Sequence, residues 1–233
     1  MIGFYNYTVI LTYLSLVSAG IGIVTSLSGT GHPYIGMIFL LFCGLCDAFD
    51  GKVARTKKDR CDTECKFGIQ IDSLSDVVAF GVLPVCIGAA LYRQTRIMHV
   101  TDTLVNKFLG ILLLAIMAFY ILAAMIRLAY FNVTEEERQK TEGGTRKYYL
   151  GLPVTSAAII FPTILLICYI FRSTLKIDLS PIYFGVLILT AFLFLLKFQL
   201  KKPGIKTILI MVAVGVLEFA LLLTFYLLFP TKL

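Results

Sequence analysis

The chain has 233 residues, of which 58% are hydrophobic and only 15% are charged. A soluble domain carries about 25% charged residues, so this composition excludes an ordinary soluble enzyme and favours a multi-pass membrane protein. The net charge of +7 lies mostly in loops, where membrane orientation and contact with anionic lipids explain it. Nucleic-acid binding is therefore not expected.

Seven apolar segments follow one another, each close to the about 20 residues that a helix needs to cross a bilayer. We predict an all-α, polytopic transmembrane helical bundle of six to eight spans that forms a single domain, residues 1–233. The polar run TEEERQK at 134–140 is expected to be a solvated loop, and no cleavable signal peptide is expected. The seven segments are 9–28, 34–50, 69–91, 106–131, 150–171, 181–197 and 205–229.

Basic residues are concentrated in the loops after the second, fourth and sixth segments. The first loop has no Lys or Arg, and the third and fifth loops have two each. The positive-inside rule therefore places the N-terminus and the three basic loops in the cytoplasm of a cell that carries the protein in its plasma or inner membrane. The basic residues of these loops are Lys52, Arg55, Lys57, Lys58, Arg60, Lys66, Arg138, Lys140, Arg146, Lys147, Lys201, Lys202 and Lys206.

Six cysteines are present, and four of them lie inside apolar segments. Buried cysteine usually behaves as a small hydrophobic residue. We therefore expect neither a disulfide framework nor a cysteine metal site.

Four aspartates interrupt two neighbouring apolar segments. Asp47 and Asp50 end the second segment, and Asp72 and Asp76 begin the third. Spacings of three and four residues place each pair on one face of a helix, and the intervening loop puts both pairs at the same membrane level. Because unpaired acids are costly in lipid, we predict that the four carboxylates bind two divalent cations, Mg²⁺ or Mn²⁺. Two-metal sites commonly catalyse displacement at phosphorus.

The residues around these acids are small or suited to phosphate. Gly51, Ala54 and Gly68 leave room for close helix approach and for a flat ligand such as a nucleotide base. Arg55 can make paired hydrogen bonds to a phosphate. The alternatives are that Gly51 and Ala54 serve only packing, and that single acids form ion pairs with Lys52 or Arg55 or cap a helix.

The pattern Asp47-x-x-Asp50-Gly51-x-x-Ala54-Arg55, followed by Gly68-x-x-x-Asp72-x-x-x-Asp76, resembles the signature of the CDP-alcohol phosphatidyltransferase family. The segments FDGKVAR, FGIQIDSLSDVVAFGVLP, IRLAYFNV and YYLGLPVTSAA look like its phosphatidylserine-synthesising branch over about residues 40–160. One feature departs from the family pattern. The stretch TKKDRCDTECKF between Arg55 and Gly68 is longer than usual by about one helical turn.

The resemblance implies transfer of the phosphatidyl group from CDP-diacylglycerol to the hydroxyl of L-serine, with release of CMP at the cytoplasmic face. It implies that Asp47, Asp50 and Asp72 are metal ligands and that Asp76 is both a ligand and the general base. It also implies a homodimer. The residues that would line the CDP pocket are Gly51, Ala54, Arg55 and Gly68.

Two further candidates lie in the segment IRLAYFNV. Arg127 is inside the fourth apolar segment, where a charged side chain is a functional candidate by default, and Asn132 follows five residues later. We predict that both contact substrate, with Arg127 holding a donor phosphate or the serine carboxylate. The alternative for Arg127 is a side chain that snorkels to the lipid headgroups. Glu218, in the last segment, has no predicted role.

Three alternatives remain open at this level. The same chemistry could use another acceptor, such as glycerol phosphate or inositol phosphate, and the donor could be an archaeal CDP-linked ether lipid. In a different class of function, the acids could form the translocation site of a cation transporter, although such sites usually lie at the bilayer midplane.

Overall fold

The computed structural model of the protein describes residues 3–28, 33–94, 104–141, 148–175, 177–201 and 204–228. A π-helical turn, Val77–Val82, joins α3 to α4, so that these elements form one continuous helical rod. The elements are α1 (Ile10–Leu27), α2 (Pro33–Ala54), α3 (Asp62–Asp76), α4 (Leu83–Gln94), α5 (Leu104–Thr141), β1 (Tyr148–Leu150), α6 (Ala157–Leu175), α7 (Ser180–Leu195), β2 (Gln199–Lys201) and α8 (Ile205–Leu228).

The helices confirm the predicted polytopic membrane bundle. Six of them, counting the α3–α4 rod as one, are long and apolar enough to cross a bilayer, and α7 is a shorter apolar helix of 16 residues. Each of the seven predicted segments corresponds to one helix or rod. Arg146, Lys147 and Lys202, which were assigned to basic loops, lie outside the described residues.

Small residues allow α1, α2 and α4 to pack closely. A Cβ atom added at Gly22 of α1 would lie 2.9 Å from the Cβ of Phe39 in α2 and 3.0 Å from a methyl group of Leu83. A Cβ at Gly36 of α2 would lie 2.7 Å from Ile87 in α4. Because lipid offers no hydrophobic drive for helix association, such close packing contributes much of the stability of a membrane bundle.

A cluster of aromatic rings fills the centre of the bundle. Tyr120 of α5 packs against Phe161 of α6 and Phe194 of α7, with ring centroids 5.6 Å apart in both pairs. Tyr183 of α7 lies 5.3 Å from Phe161. The four side chains are at most 2% exposed, so this cluster joins α5, α6 and α7 into one core.

The predicted loop at 134–140 is wrong, because α5 continues as a helix to Thr141. Two ion pairs at helical spacing line this part of α5: Arg138 Nη2 lies 2.7 Å from Glu135 Oε1, and Lys140 Nζ lies 2.8 Å from Glu136 Oε1. At 38 residues the helix is about 57 Å long. It therefore extends well beyond the about 30 Å hydrocarbon layer, and its last turns are polar because they stand in water.

A short two-stranded ribbon closes one end of the bundle and was not predicted. β1 pairs with β2 in antiparallel register, from Tyr148↔Lys201 to Leu150↔Gln199. Gly151 follows β1 with φ +74°, and its amide donates to Phe198 O at 2.6 Å. The ribbon thus joins the chain after α5 to the chain after α7. All six cysteines are free thiols.

Gly151→Ala is expected to lower stability, because the left-handed conformation costs a non-glycine residue about 1–3 kcal/mol. The added Cβ would also lie 2.7 Å from Leu196 O. We expect a lower melting temperature for the purified protein in detergent. The control is Gly185→Ala in α7, where the new Cβ would meet no described atom within 4 Å. Equal melting temperatures for the two variants would contradict the assigned role of Gly151.

Candidate active site

The bundle brings the four aspartates of α2 and α3 together. Asp47 and Asp50 lie in the last turns of α2, and Asp72 and Asp76 lie in the last turns of α3. The carboxyl groups of Asp50 and Asp72 lie close enough to interact with each other. The carboxyl group of Asp76 interacts electrostatically with those of the other three. The acids of the two helices are therefore close enough to interact electrostatically, while their convergence on a common ligand stays a prediction.

No basic side chain among the described residues forms an ion pair with these aspartates. The four ion pairs of the described chain involve Glu64, Glu135 and Glu136. Lys52 instead lies over the ring of Phe49, 5.3 Å from its centroid. The alternative in which Lys52 or Arg55 forms an ion pair with an aspartate is therefore not found among the described residues.

The chemistry of this donor set fits a divalent cation. Asp76 is 8% exposed and the other three are half-buried, so their mutual repulsion is screened only in part by water. Carboxylate oxygens are hard donors that suit Mg²⁺ or Mn²⁺, and a divalent cation between them would offset this repulsion. Within the described residues, however, no group of three or more His, Cys, Asp or Glu side chains is arranged so that it could hold a metal ion. The metal role of the aspartates stays a prediction.

The predicted pocket residues lie beside the acids, but the space at Gly68 is occupied by another side chain. A Cβ at Gly68 would lie 2.7 Å from Nη2 of Arg60, whose Nη1 donates to Ala54 O at 3.4 Å. Arg55 is exposed and its guanidinium nitrogens lie 3.8–4.0 Å from the position of a Cβ at Gly51. A role of these residues in binding CDP stays a prediction.

Arg60 belongs to a polar cluster around Glu64 that the sequence did not predict. Glu64 is 6% exposed and accepts hydrogen bonds from Lys57 Nζ at 2.9 and 3.1 Å and from Asn6 Nδ2 at 2.5 Å. The cluster ties the start of α3 to the N-terminal segment. The long stretch between Arg55 and Gly68 is accommodated in this way, because α3 already begins at Asp62. The spacing of Arg60 and Glu64, four residues apart, was the available signal.

Asn132 links α5 to the aspartate region. Its Nδ2 donates to Ser73 Oγ at 2.7 Å, and Ser73 Oγ donates in turn to Ile69 O at 3.0 Å. Ser73 follows Asp72 directly. Asn132 therefore lies next to the acids, as a substrate-contacting residue must, although substrate contact itself stays a prediction.

Arg127 is buried rather than extended to the membrane surface. It is 5% exposed, its Nε donates to Leu152 O at 3.1 Å, and its guanidinium lies 5.6 Å from the ring centroid of Phe131. This arrangement differs from the snorkelling alternative. Arg127 is held by the segment that follows β1, and its predicted contact with substrate is not tested by these bonds.

Glu218 lies on α8 and is 5% exposed. Its Oε1 accepts a hydrogen bond from Thr163 Oγ1 of α6. Its Oε2 has no hydrogen-bond partner among the described residues. This acid is thus a contact between α6 and α8 and is separate from the four aspartates.

Comparison with known proteins identifies several relatives. The protein is 32% identical over 163 residues to a CDP-diacylglycerol–serine O-phosphatidyltransferase of Saccharomyces cerevisiae, a match covering 69% of this chain and 50% of the relative. It is 33% identical over 150 residues to an archaetidylserine synthase of Methanothermobacter thermautotrophicus, covering 64% of this chain and 53% of the relative. The chain therefore spans about half the length of these two relatives.

A third relative is matched over more of its length. The protein is 26% identical over 180 residues to a CDP-diacylglycerol–serine O-phosphatidyltransferase of Methanocaldococcus jannaschii, covering 77% of this chain and 69% of the relative. No solved structure matches the chain significantly. The profile of the CDP-alcohol phosphatidyltransferase family matches residues 5–231, which is nearly the whole chain. The protein therefore belongs to the CDP-alcohol phosphatidyltransferase family.

Proposed function

We propose that the protein transfers the phosphatidyl group of CDP-diacylglycerol to the hydroxyl of L-serine, giving phosphatidylserine and CMP. The observation that carries the proposal is the electrostatic proximity of the four signature aspartates of α2 and α3. Family membership supports group transfer over cation transport, the alternative of another class. The names of the yeast and M. jannaschii relatives support serine over glycerol phosphate or inositol phosphate as the acceptor.

Asp47, Asp50, Asp72 and Asp76 would hold two divalent cations, Mg²⁺ or Mn²⁺. Such ions, when bound, neutralise the pyrophosphate and stabilise the attacking and leaving oxygens of a displacement at phosphorus. The contribution of the chain is to place four oxygen donors from two helices at one level, without a basic side chain that competes for them among the described residues. The hydrogen bond from Asn132 to Ser73 would hold the adjacent Asp72 in place.

Asp76 would act as the general base. It is the least exposed of the four acids, and a carboxylate in hydrogen-bond reach of a hydroxyl can take its proton. In the reaction, the serine oxygen forms a bond to the phosphorus that bears diacylglycerol. The bond from that phosphorus to the oxygen of CMP breaks, CMP leaves with that oxygen, and the serine proton passes to Asp76.

The reaction would take place at the cytoplasmic face of the plasma or inner membrane. Asn6, Lys57 and Glu64 lie near the aspartate end of the bundle, and the basic loops of this end support a cytoplasmic location. Serine and CMP are water-soluble and can exchange there, while the acyl chains stay in the bilayer. Following the family resemblance, we also propose that the protein acts as a homodimer.

The test is an acceptor panel with purified protein in detergent. CDP-diacylglycerol is incubated with L-serine, glycerol phosphate, inositol phosphate or no alcohol, and the release of CMP is measured. We expect serine to give the fastest release and phosphatidylserine to appear in equal amount. If serine gave no more CMP than water, the assignment of serine would be wrong. Release with another alcohol would then identify the acceptor within the same chemistry.

A CDP-linked ether lipid is the second candidate donor. The similarity to a relative that is named an archaetidylserine synthase favours its inclusion in the test. Running the panel with both donors separates the two, because the comparison of kcat/KM reports the difference in transition-state binding.

A further inference from the structure

A π-helical turn separates Asp76 from α4. Asp76 is the last residue of α3, and the turn covers the next six residues, Val77–Val82. The turn is π-helical because the amide of Leu83 donates to Val78 O, five residues earlier in the chain. In an α-helix the acceptor would be the carbonyl four residues earlier. Single π turns of this kind are rare, and many of those known lie at functional sites.

Proline explains why this turn leaves a carbonyl without its usual partner. In an α-helix the carbonyl of Phe80 would accept a hydrogen bond from the amide of residue 84, but Pro84 has no N–H, and its ring crowds that carbonyl. The hydroxyl of Tyr120, from α5, donates to Phe80 O at 2.9 Å instead. Tyr120 is 0% exposed, so its hydroxyl and Phe80 O lie away from bulk water, and an unpaired carbonyl there would be costly.

The π turn also controls the direction in which Asp76 points. Each α-helical residue turns the chain by about 100°. A π turn that gained or lost one residue would therefore rotate α3, which precedes it, relative to α4, which follows it. Beyond the turn, α4 is fixed in the core by Leu83, Ile87 and Leu91, which are at most 3% exposed. A change in the π turn would therefore be taken up by α3 and would move Asp76.

We propose that Tyr120 is a positioning residue for Asp76, which it holds in the reactive direction by completing the π turn at Phe80 O. The proposal rests on the proposed role of Asp76 as the general base. Tyr120 contacts the backbone one turn beyond the acid and acts through it. The function of the buried hydroxyl is thus to fix geometry, and its removal should slow the chemical step rather than weaken substrate binding.

The test compares Tyr120→Phe with Tyr183→Phe. Each change removes one hydroxyl from a ring that is 0% exposed. Tyr183 donates to Pro84 O at 2.8 Å, and that carbonyl lies inside α4, where the amide of Gly88 is its regular partner. We expect Tyr120→Phe to lower kcat by about tenfold or more, since small misplacements of reacting groups are that costly. The KM for both substrates should stay within about twofold of the wild-type value, and Tyr183→Phe should keep wild-type kcat.

Amide hydrogen exchange supplies a readout that does not depend on the reaction. We expect faster exchange at Val77–Leu83 in Tyr120→Phe than in Tyr183→Phe, because local opening follows the loss of a stabilising bond. The proposal is overturned if kcat is unchanged in Tyr120→Phe, if both variants lose activity equally, or if exchange in the π turn is unaltered. Absence of serine-dependent CMP release by the wild-type protein would instead reject the proposed function, and the exchange experiment would still decide whether Tyr120 holds the turn.

Discussion

Asp76→Asn is expected to lower kcat by about 10²–10⁴, the contribution typical of a positioned general base. The amide keeps the size of the side chain but cannot accept the serine proton. Binding of CDP-diacylglycerol should change little, because Asp47, Asp50 and Asp72 remain. The measurement is CMP release at saturating serine, together with binding of CDP-diacylglycerol by the same preparation.

Glu218→Gln is the matched control for that variant. Glu218 is also an acid that is less than a tenth exposed, but its contact is with Thr163 of α6. We expect this variant to retain the activity of the wild-type protein. Near-normal turnover in Asp76→Asn would exclude Asp76 as the base, and loss of CDP-diacylglycerol binding in that variant would assign it to binding instead.

Removal of divalent cations is expected to reduce activity to the background level, and Mg²⁺ or Mn²⁺ should restore it. The reason is that four carboxylates close together repel one another and cannot bind a pyrophosphate unless cations lie between them. The measurement is CMP release after treatment with a chelator, followed by titration with each ion. Activity that survives complete chelation would contradict the two-metal proposal.

Thermal unfolding tests the binding of divalent ions to the protein directly, in the absence of substrate. Ions that bind the folded protein raise its melting temperature by mass action. We expect Mn²⁺ to stabilise the wild-type protein, and to have little effect on Asp50→Asn or Asp72→Asn, in which one carboxylate of the predicted ligand set is lost. An equal rise in all three proteins would place the ion elsewhere.

The sequence predicted the number and order of the helices because long apolar runs have few alternatives in a bilayer. It located their ends less well, and for a physical reason. A run of apolar residues ends where the chain leaves the lipid, whereas the hydrogen bonds of the helix continue into the water beyond it. The fourth segment was therefore predicted as 106–131 but is the helix Leu104–Thr141, and the third was predicted as 69–91 but begins at Asp62.

The candidate site was predictable to the extent that it is local. The spacings of Asp47 with Asp50 and of Asp72 with Asp76 follow from helix geometry, and their meeting follows from the short connection between the two helices. The hydrogen bonds from Asn132 to Ser73 and from Tyr120 to Phe80 O join residues that are far apart in the chain. Helical spacing in the sequence therefore cannot predict them. The three-residue strands of the ribbon were missed because they are too short to show an alternating pattern.

The length of α7 has a consequence for the surrounding lipid. Its 16 residues extend about 24 Å, which is about 6 Å less than a typical hydrocarbon layer. The side chains of Ile182, Leu189 and Phe192 are exposed along this helix. If α7 crosses with these residues in contact with acyl chains, local thinning of the bilayer is one way to relieve the hydrophobic mismatch, and that mismatch is smaller in membranes made of shorter lipids. The bilayer beside α7 is therefore expected to be thinner than a typical hydrocarbon layer wherever this helix crosses it.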